Sequence, residues 1–126
     1  MMSSNGENGS RNGEVGPDTA LGKVLGKPAL LKGLVSYEKD SVVSKTIVDT
    51  DSGTITLFSF DAYQGLSEHT APYNAVIYIF DGEAEVKIGR ESFAVKNGEM
   101  AVLPANVPHS LKAKGRFKMM LTMIRA

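Results

Sequence analysis

The chain has 126 residues, with 14 Lys and Arg against 14 Asp and Glu, 42% apolar residues and neither Cys nor Trp; this fits one globular domain and is too short for two ordinary ones. Without cysteine there are no disulfides, zinc knuckles or thiolate nucleophiles, so any metal site has to use nitrogen and oxygen ligands. Beyond the first 20 residues, 11 acidic groups stand against 13 basic ones, too even a balance for the basic face that a general nucleic-acid binder needs.

Residues 1–20 hold four Gly, three Asn and three Ser with almost no apolar side chains, a composition that predicts a flexible N-terminal tail. No charged stretch followed by an apolar segment opens the chain, and no apolar run approaches the roughly 18 residues of a membrane span. The default expectation is a cytoplasmic protein with no membrane partner. Residues 21–34 mix Leu and Val with Gly22, Gly26, Pro28 and Gly33, predicting a connecting segment with at most a short helical turn around 29–32. Residues 35–126 form the expected folded domain.

From Ser41 onward the chain breaks into short β-branched and aromatic runs between turn residues: 41–48, 54–60, 75–81, 83–88, 92–95, 100–103 and 109–113. Strands at this spacing predict an all-β sandwich or barrel. In 83–88, Ala84, Val86 and Ile88 alternate with charged residues and are expected to face inward. Gly89 and Arg90 read as a two-residue hairpin turn, after which Phe93 and Val95 continue the apolar face. Gly82 and Gly98 read likewise as turn residues. Residues 75–80 are apolar on both faces, which predicts a cover on the outer side, and dimerisation through this strand or its neighbours is the expected cause. The run 117–124 is expected to be a strand, with Phe117, Met119, Leu121 and Met123 on its core side. Lys112, Lys114, Arg116, Lys118 and Arg125 make the last fifteen residues basic with no acid among them; they read as a solvated surface or as an attraction for an anionic ligand.

Only two histidines occur, His69 and His109, each at a strand boundary beside a proline-containing loop. Gly65-Leu66-Ser67-Glu68-His69 leads into a strand ending Phe80-Asp81-Gly82-Glu83-Ala84-Glu85-Val86. Further on, Asn97-Gly98 opens a segment with Pro104, Pro108 and His109. Together these segments resemble the two consecutive motifs of the cupin family (cupin 2 type conserved barrels), small double-stranded β-helix or jelly-roll proteins, over about residues 35–124. The resemblance implies that His69 and His109 sit together at the barrel mouth. It also implies a first motif with a second histidine and a glutamate, and a divalent metal held by the set. Here those two positions are Ala71 and Ala75. Alanine has no donor atom, so a zinc, manganese, iron or nickel ion on His69 and His109 alone is expected to be weakly held. Glu68 is adjacent to His69 and is expected to point to the opposite face. Tyr73 and Asn74, in the loop after Pro72, are further ligand-binding candidates.

Two classes of function follow from this. The barrel is either a module that binds a small organic molecule, an anion or a sugar-like compound, through its two imidazoles, or a small cupin enzyme of isomerase, decarboxylase or dioxygenase type using His69 and His109, with or without a metal. The missing ligands count most against the dioxygenase.

Overall fold

The structure is a computed structural model and describes residues 19–125. The tail expected over 1–20 therefore lies almost wholly outside the described residues. At its end Thr19 caps a five-residue helix, α1 (Ala20–Val24), its hydroxyl oxygen accepting the Gly22 N–H at 2.9 Å. A 3-10 turn follows at Leu31–Gly33, overlapping the turn read around 29–32 in the sequence. Eight strands follow among the described residues: β1 (Val42–Thr50), β2 (Gly53–Phe60), β3 (Gly65–His69), β4 (Ala75–Ile88), β5 (Glu91–Lys96), β6 (Met100–Leu103), β7 (His109–Lys112) and β8 (Phe117–Ile124). Among the described residues no helix is long and apolar enough to cross a membrane.

All pairings are antiparallel, and β4 belongs to two sheets at once. Its first half pairs with β8 and β6, extending through β2 to β1. Its second half pairs with β5 on one edge and β7 on the other, and β7 carries β3. The expected break between strands 75–81 and 83–88 is thus a bend within one 14-residue strand. The bend combines an irregularity between Ile79 and Asp81 with a positive φ of 72° at Gly82. A Cβ at Gly82 would lie 2.1 Å from the Arg116 carbonyl oxygen, so glycine serves close backbone approach inside a sheet rather than a turn. Gly89 and Arg90 do form the two-residue hairpin loop, with Ile88 opposite Glu91.

The alternation read in the sequence builds the interior. Ala84, Val86, Val95, Ile77, Ile79, Phe60, Phe117 and Met119 are buried in one cluster, with half-buried Leu121 packed against it. The rings of Phe60 and Phe117, which face each other across the β2–β8 ladder, stack at 4.3 Å between centroids. Phe93 shares this side but remains 45% exposed. A second cluster covers the outer face of the first sheet, where Leu21, Val35, Ile47, Leu57 and Phe80 are buried together against Leu31, Leu34, Tyr78 and Met120. The outer side of 75–80 is therefore covered largely by the chain's own segment 20–35. That intramolecular cover takes Phe80 out of water and leaves Tyr78 half-buried.

Polar contacts fasten the same segment. Tyr37 donates its hydroxyl hydrogen to Asp81 at 2.6 Å, Ser59 donates to the Ser36 carbonyl at 2.7 Å, and the buried Lys118 reaches the Lys32 carbonyl at 2.8 Å. Arg116 donates through Nε to Asp61 at 2.8 Å, and Asp61 also accepts the Asp40 N–H at 2.7 Å. Both Arg116 and Lys118 lie 4.9 Å from the centre of the Tyr37 ring, within cation–π range. Of the basic C-terminal run, these two cations are engaged inside the molecule and Arg125 donates to the Thr50 carbonyl at 2.7 Å.

Candidate functional site

His69 and His109 meet through β3 and β7. In β7, His109 and Leu111 are buried and face the same way, paired in β4 with Ile88 and Val86. Across the other edge Leu66 pairs with Leu111 and His69 with His109, so β3 spends three residues where β7 spends two. The extra residue is a β-bulge, which re-aims the following side chain. Leu66 and His69, of opposite parity in a regular strand, are brought to the same side. The two imidazoles approach edge to face, with centroids 4.4 Å apart and planes at 73°. His109 is 4% exposed whereas His69 is open to solvent, and Glu68 beside it is also exposed.

Each ring is held by a backbone carbonyl two residues earlier in the chain: His69 Nδ1 lies 2.8 Å from Ser67 O, and His109 Nδ1 lies 3.0 Å from Val107 O. Burial pushes the His109 pKa below its ordinary 6.5; the bond to Val107 opposes this, and the charge His69 would carry adds to it. His109 is therefore neutral at neutral pH. None of Ser67, Val107, Leu66, Ile88 and Leu111 was a site candidate from sequence, although Ile88 was expected to face inward. Their roles arise from backbone carbonyls and strand pairing, for which side-chain type carries no signal.

The other two candidates have different positions. The Asn74 side-chain oxygen accepts the Ala105 N–H at 2.8 Å, and the Ala71 carbonyl accepts the Asn106 N–H at 2.7 Å. Asn74 thus clasps the loop before β4 to the loop before β7. Tyr73 is half-buried in the same loop. A surface groove of about 420 Å³, lined by residues that include Glu83, Glu85, Phe93, Lys114 and Arg116, contains neither histidine. The imidazole pair is the better candidate site, because the groove's Arg116 is already committed to Asp61 and Tyr37.

Among the described residues no three His, Cys, Asp or Glu side chains are gathered as a metal would need. Ala75 is 2% exposed in the core and Ala71 is half-buried, so methyl groups stand where the family resemblance calls for donors. Two imidazole nitrogens fall short of the three or four protein ligands that hold a resident transition metal. The donor set does not fit one.

A family model described as "Cupin domain" matches residues 56–125. A conserved protein of unknown function from Streptococcus pyogenes is 35% identical, with 80% of this chain and 89% of that one covered and a TM-score of 0.77. A cupin superfamily protein from Desulfitobacterium hafniense DCB-2 is 26% identical, covering 80% of this chain and 93% of that one at a TM-score of 0.76. A cupin 2 conserved barrel domain protein from Leptotrichia buccalis is 36% identical over 74% of this chain and 45% of its own length, with a TM-score of 0.72. No curated protein matches the chain. The chain belongs to the cupin family, and its fold is the all-β jelly-roll barrel expected from its motifs.

Proposed function

We propose that the protein is a small-molecule-binding cupin in which His69 and His109 contact the ligand directly, without a resident metal. The observation that supports this best is the pairing of two imidazoles at 4.4 Å, one buried and one open to solvent, each oriented by its own backbone carbonyl. Two polar groups fixed in direction beside the apolar Leu66, Ile88 and Leu111 form the mix of apolar wall and few polar anchors typical of ligand sites. The bulge in β3 adds to the case, because it turns His69 toward His109 at the expense of regular pairing.

The experiment is a thermal-shift screen of neutral and charged metabolites on protein dialysed against EDTA, repeated with His69→Ala and His109→Ala. A compound that raises Tm in the metal-free wild type and in neither variant is the expected result. Binding that appears only after metal is added back, or that survives in both variants, overturns the proposal.

A further inference from the structure

The segment that covers the outer face of the first sheet stops short of one row of side chains. The strand ladders place Val102, Val76, Thr122, Ile55 and Val48 side by side across β6, β4, β8, β2 and β1. They share the outward side with Tyr78 and Met120, which stand one row away. A sheet face left to water normally carries polar or charged side chains, yet here five β-branched residues follow one another across five strands with no charge among them. Val48 and Ile55 rest against the second buried cluster, whereas Val76 and Val102 pack against neither cluster. Val102 is 47% exposed, and Met100 and Ile124, in the rows on either side, are each 59% exposed. The covering segment adds exposed Leu25 and Leu30. Of the seven large apolar side chains exposed among the described residues, five therefore belong to this side of the molecule.

Whatever covers such a row has to be apolar and uncharged. The 18 residues before Thr19 are long enough, since that many extended residues reach about 60 Å. Their only large apolar side chains are Met1, Met2 and Val15, too few to match a row of five strands. A second copy of the chain meets the requirement: it brings the same β-branched row and no like charge, and twisted sheets stack face to face about 10 Å apart with their strands nearly aligned. Five strands about 4.8 Å apart make the row roughly 20 Å long, and with the flanking rows the face is on the order of 500 Å² per copy, so that two copies reach about the smallest size of a specific interface. We infer that the row from Val102 to Val48 is a homodimer interface, two copies packing sheet on sheet about a twofold axis with Thr122 at the centre.

The test is sedimentation velocity of the full chain over roughly 10–500 µM, where an interface of this size associates. The wild type should pass from monomer to dimer within that range. Val102→Lys and Thr122→Lys should each weaken association about tenfold or more, because each places an unpaired charge in an apolar interface. Phe93→Lys, at an exposed apolar residue of the other sheet, should leave association unchanged. Circular dichroism checks that the variants are folded, and Val102, on the exposed edge strand β6, keeps the test open should the half-buried Thr122 not tolerate lysine. A wild type that stays monomeric over the whole range, a dimer that survives Val102→Lys, or NMR contacts from Met1, Met2 or Val15 to Val76 or Val102 within a monomer overturns the inference.

Discussion

His69 is the Cα partner of His109 in the β3–β7 ladder, and the two rings meet edge to face only because β3 carries one residue more than β7 between its Leu66 and His69 pairings. Without the bulge, a side chain three residues from Leu66 would turn to the other face of the sheet. Deleting Ser67 or Glu68 places the histidine two residues after Leu66, in regular register with His109 and on the same face, so the rings should stay together. Retention of the contact between the two imidazoles in NMR is the expected outcome, and its loss would contradict the role given to the bulge.

The ionisation of His109 gives a pH dependence of definite sign. Its folded pKa lies below 6.5, chiefly through burial, so the unfolded chain takes up this proton first as pH falls. The stability contributed by the neutral ring is present above about pH 6.5 and is lost as pH drops through the lower folded value. A proton NMR titration should put the His109 midpoint below 6.5, and should keep it there in His69→Ala because burial is the larger cause. A midpoint at or above 6.5 in the wild type would contradict this assignment.

Metal content follows from the donor count. Protein purified without a nickel column should carry well under one equivalent of zinc, manganese, iron or nickel, and exhaustive dialysis against a chelator should leave its Tm unchanged. One equivalent surviving that dialysis at neutral pH would mean that groups beyond the two imidazoles complete the site.

The Arg116 guanidinium, together with the Asp40 and Ala62 amides, holds the Asp61 carboxyl down at about 2. A lowered carboxyl stabilises the fold above its unfolded value of about 3.9 and loses that contribution as pH falls toward 2. Arg116→Ala removes the largest cause, so acid unfolding of the variant should begin at higher pH than that of the wild type. Tryptic cleavage after Lys32 or Lys39 should accelerate in parallel, because Asp61 also holds the Asp40 amide. Coincident acid transitions in the two proteins would remove this role from the ion pair.

At Gly82 both backbone angle and space are restricted. Gly82→Ala puts a methyl group at positive φ and against the Arg116 carbonyl, which should lower stability by at least about 1 kcal/mol. Gly98→Ala shares the positive φ but meets nothing within 4 Å, so urea unfolding should find it the milder of the two changes.

The legible part of the fold was the part carried by side-chain alternation. Residues 83–88 announce their inward face through Ala84, Val86 and Ile88, and 117–124 through Phe117 and Met119, which are fully buried. Strand β3 was not legible, because Gly65, Ser67 and Glu68 have little intrinsic strand preference and the segment is held by pairing with β7. The bend in β4 reads as a turn for a similar reason: Asp81-Gly82 has turn chemistry, and only the approach of the Arg116 backbone reveals its use. In the site, the histidines stood out by rarity and context, while the carbonyls that orient them are invisible to residue type. The Asp61–Arg116 pair spans 55 positions. It becomes predictable only once Phe60 is known to face Phe117, since Asp61 follows the one and Arg116 precedes the other.

Strand β4 is flanked on both edges at 75–78, by β6 and β8, and again at 85–88, by β5 and β7, so fraying of one neighbour does not free those residues. Amide hydrogens of 76–78 and 85–88 should therefore have protection factors that report the global unfolding free energy. Strand β3, paired on one edge alone, can open by itself. His69 therefore rides on a segment free to breathe, while His109 is paired with Ile88 in the doubly flanked end of β4, and a ligand bridging the two rings would be read out as slowed exchange in β3 with no change in β4.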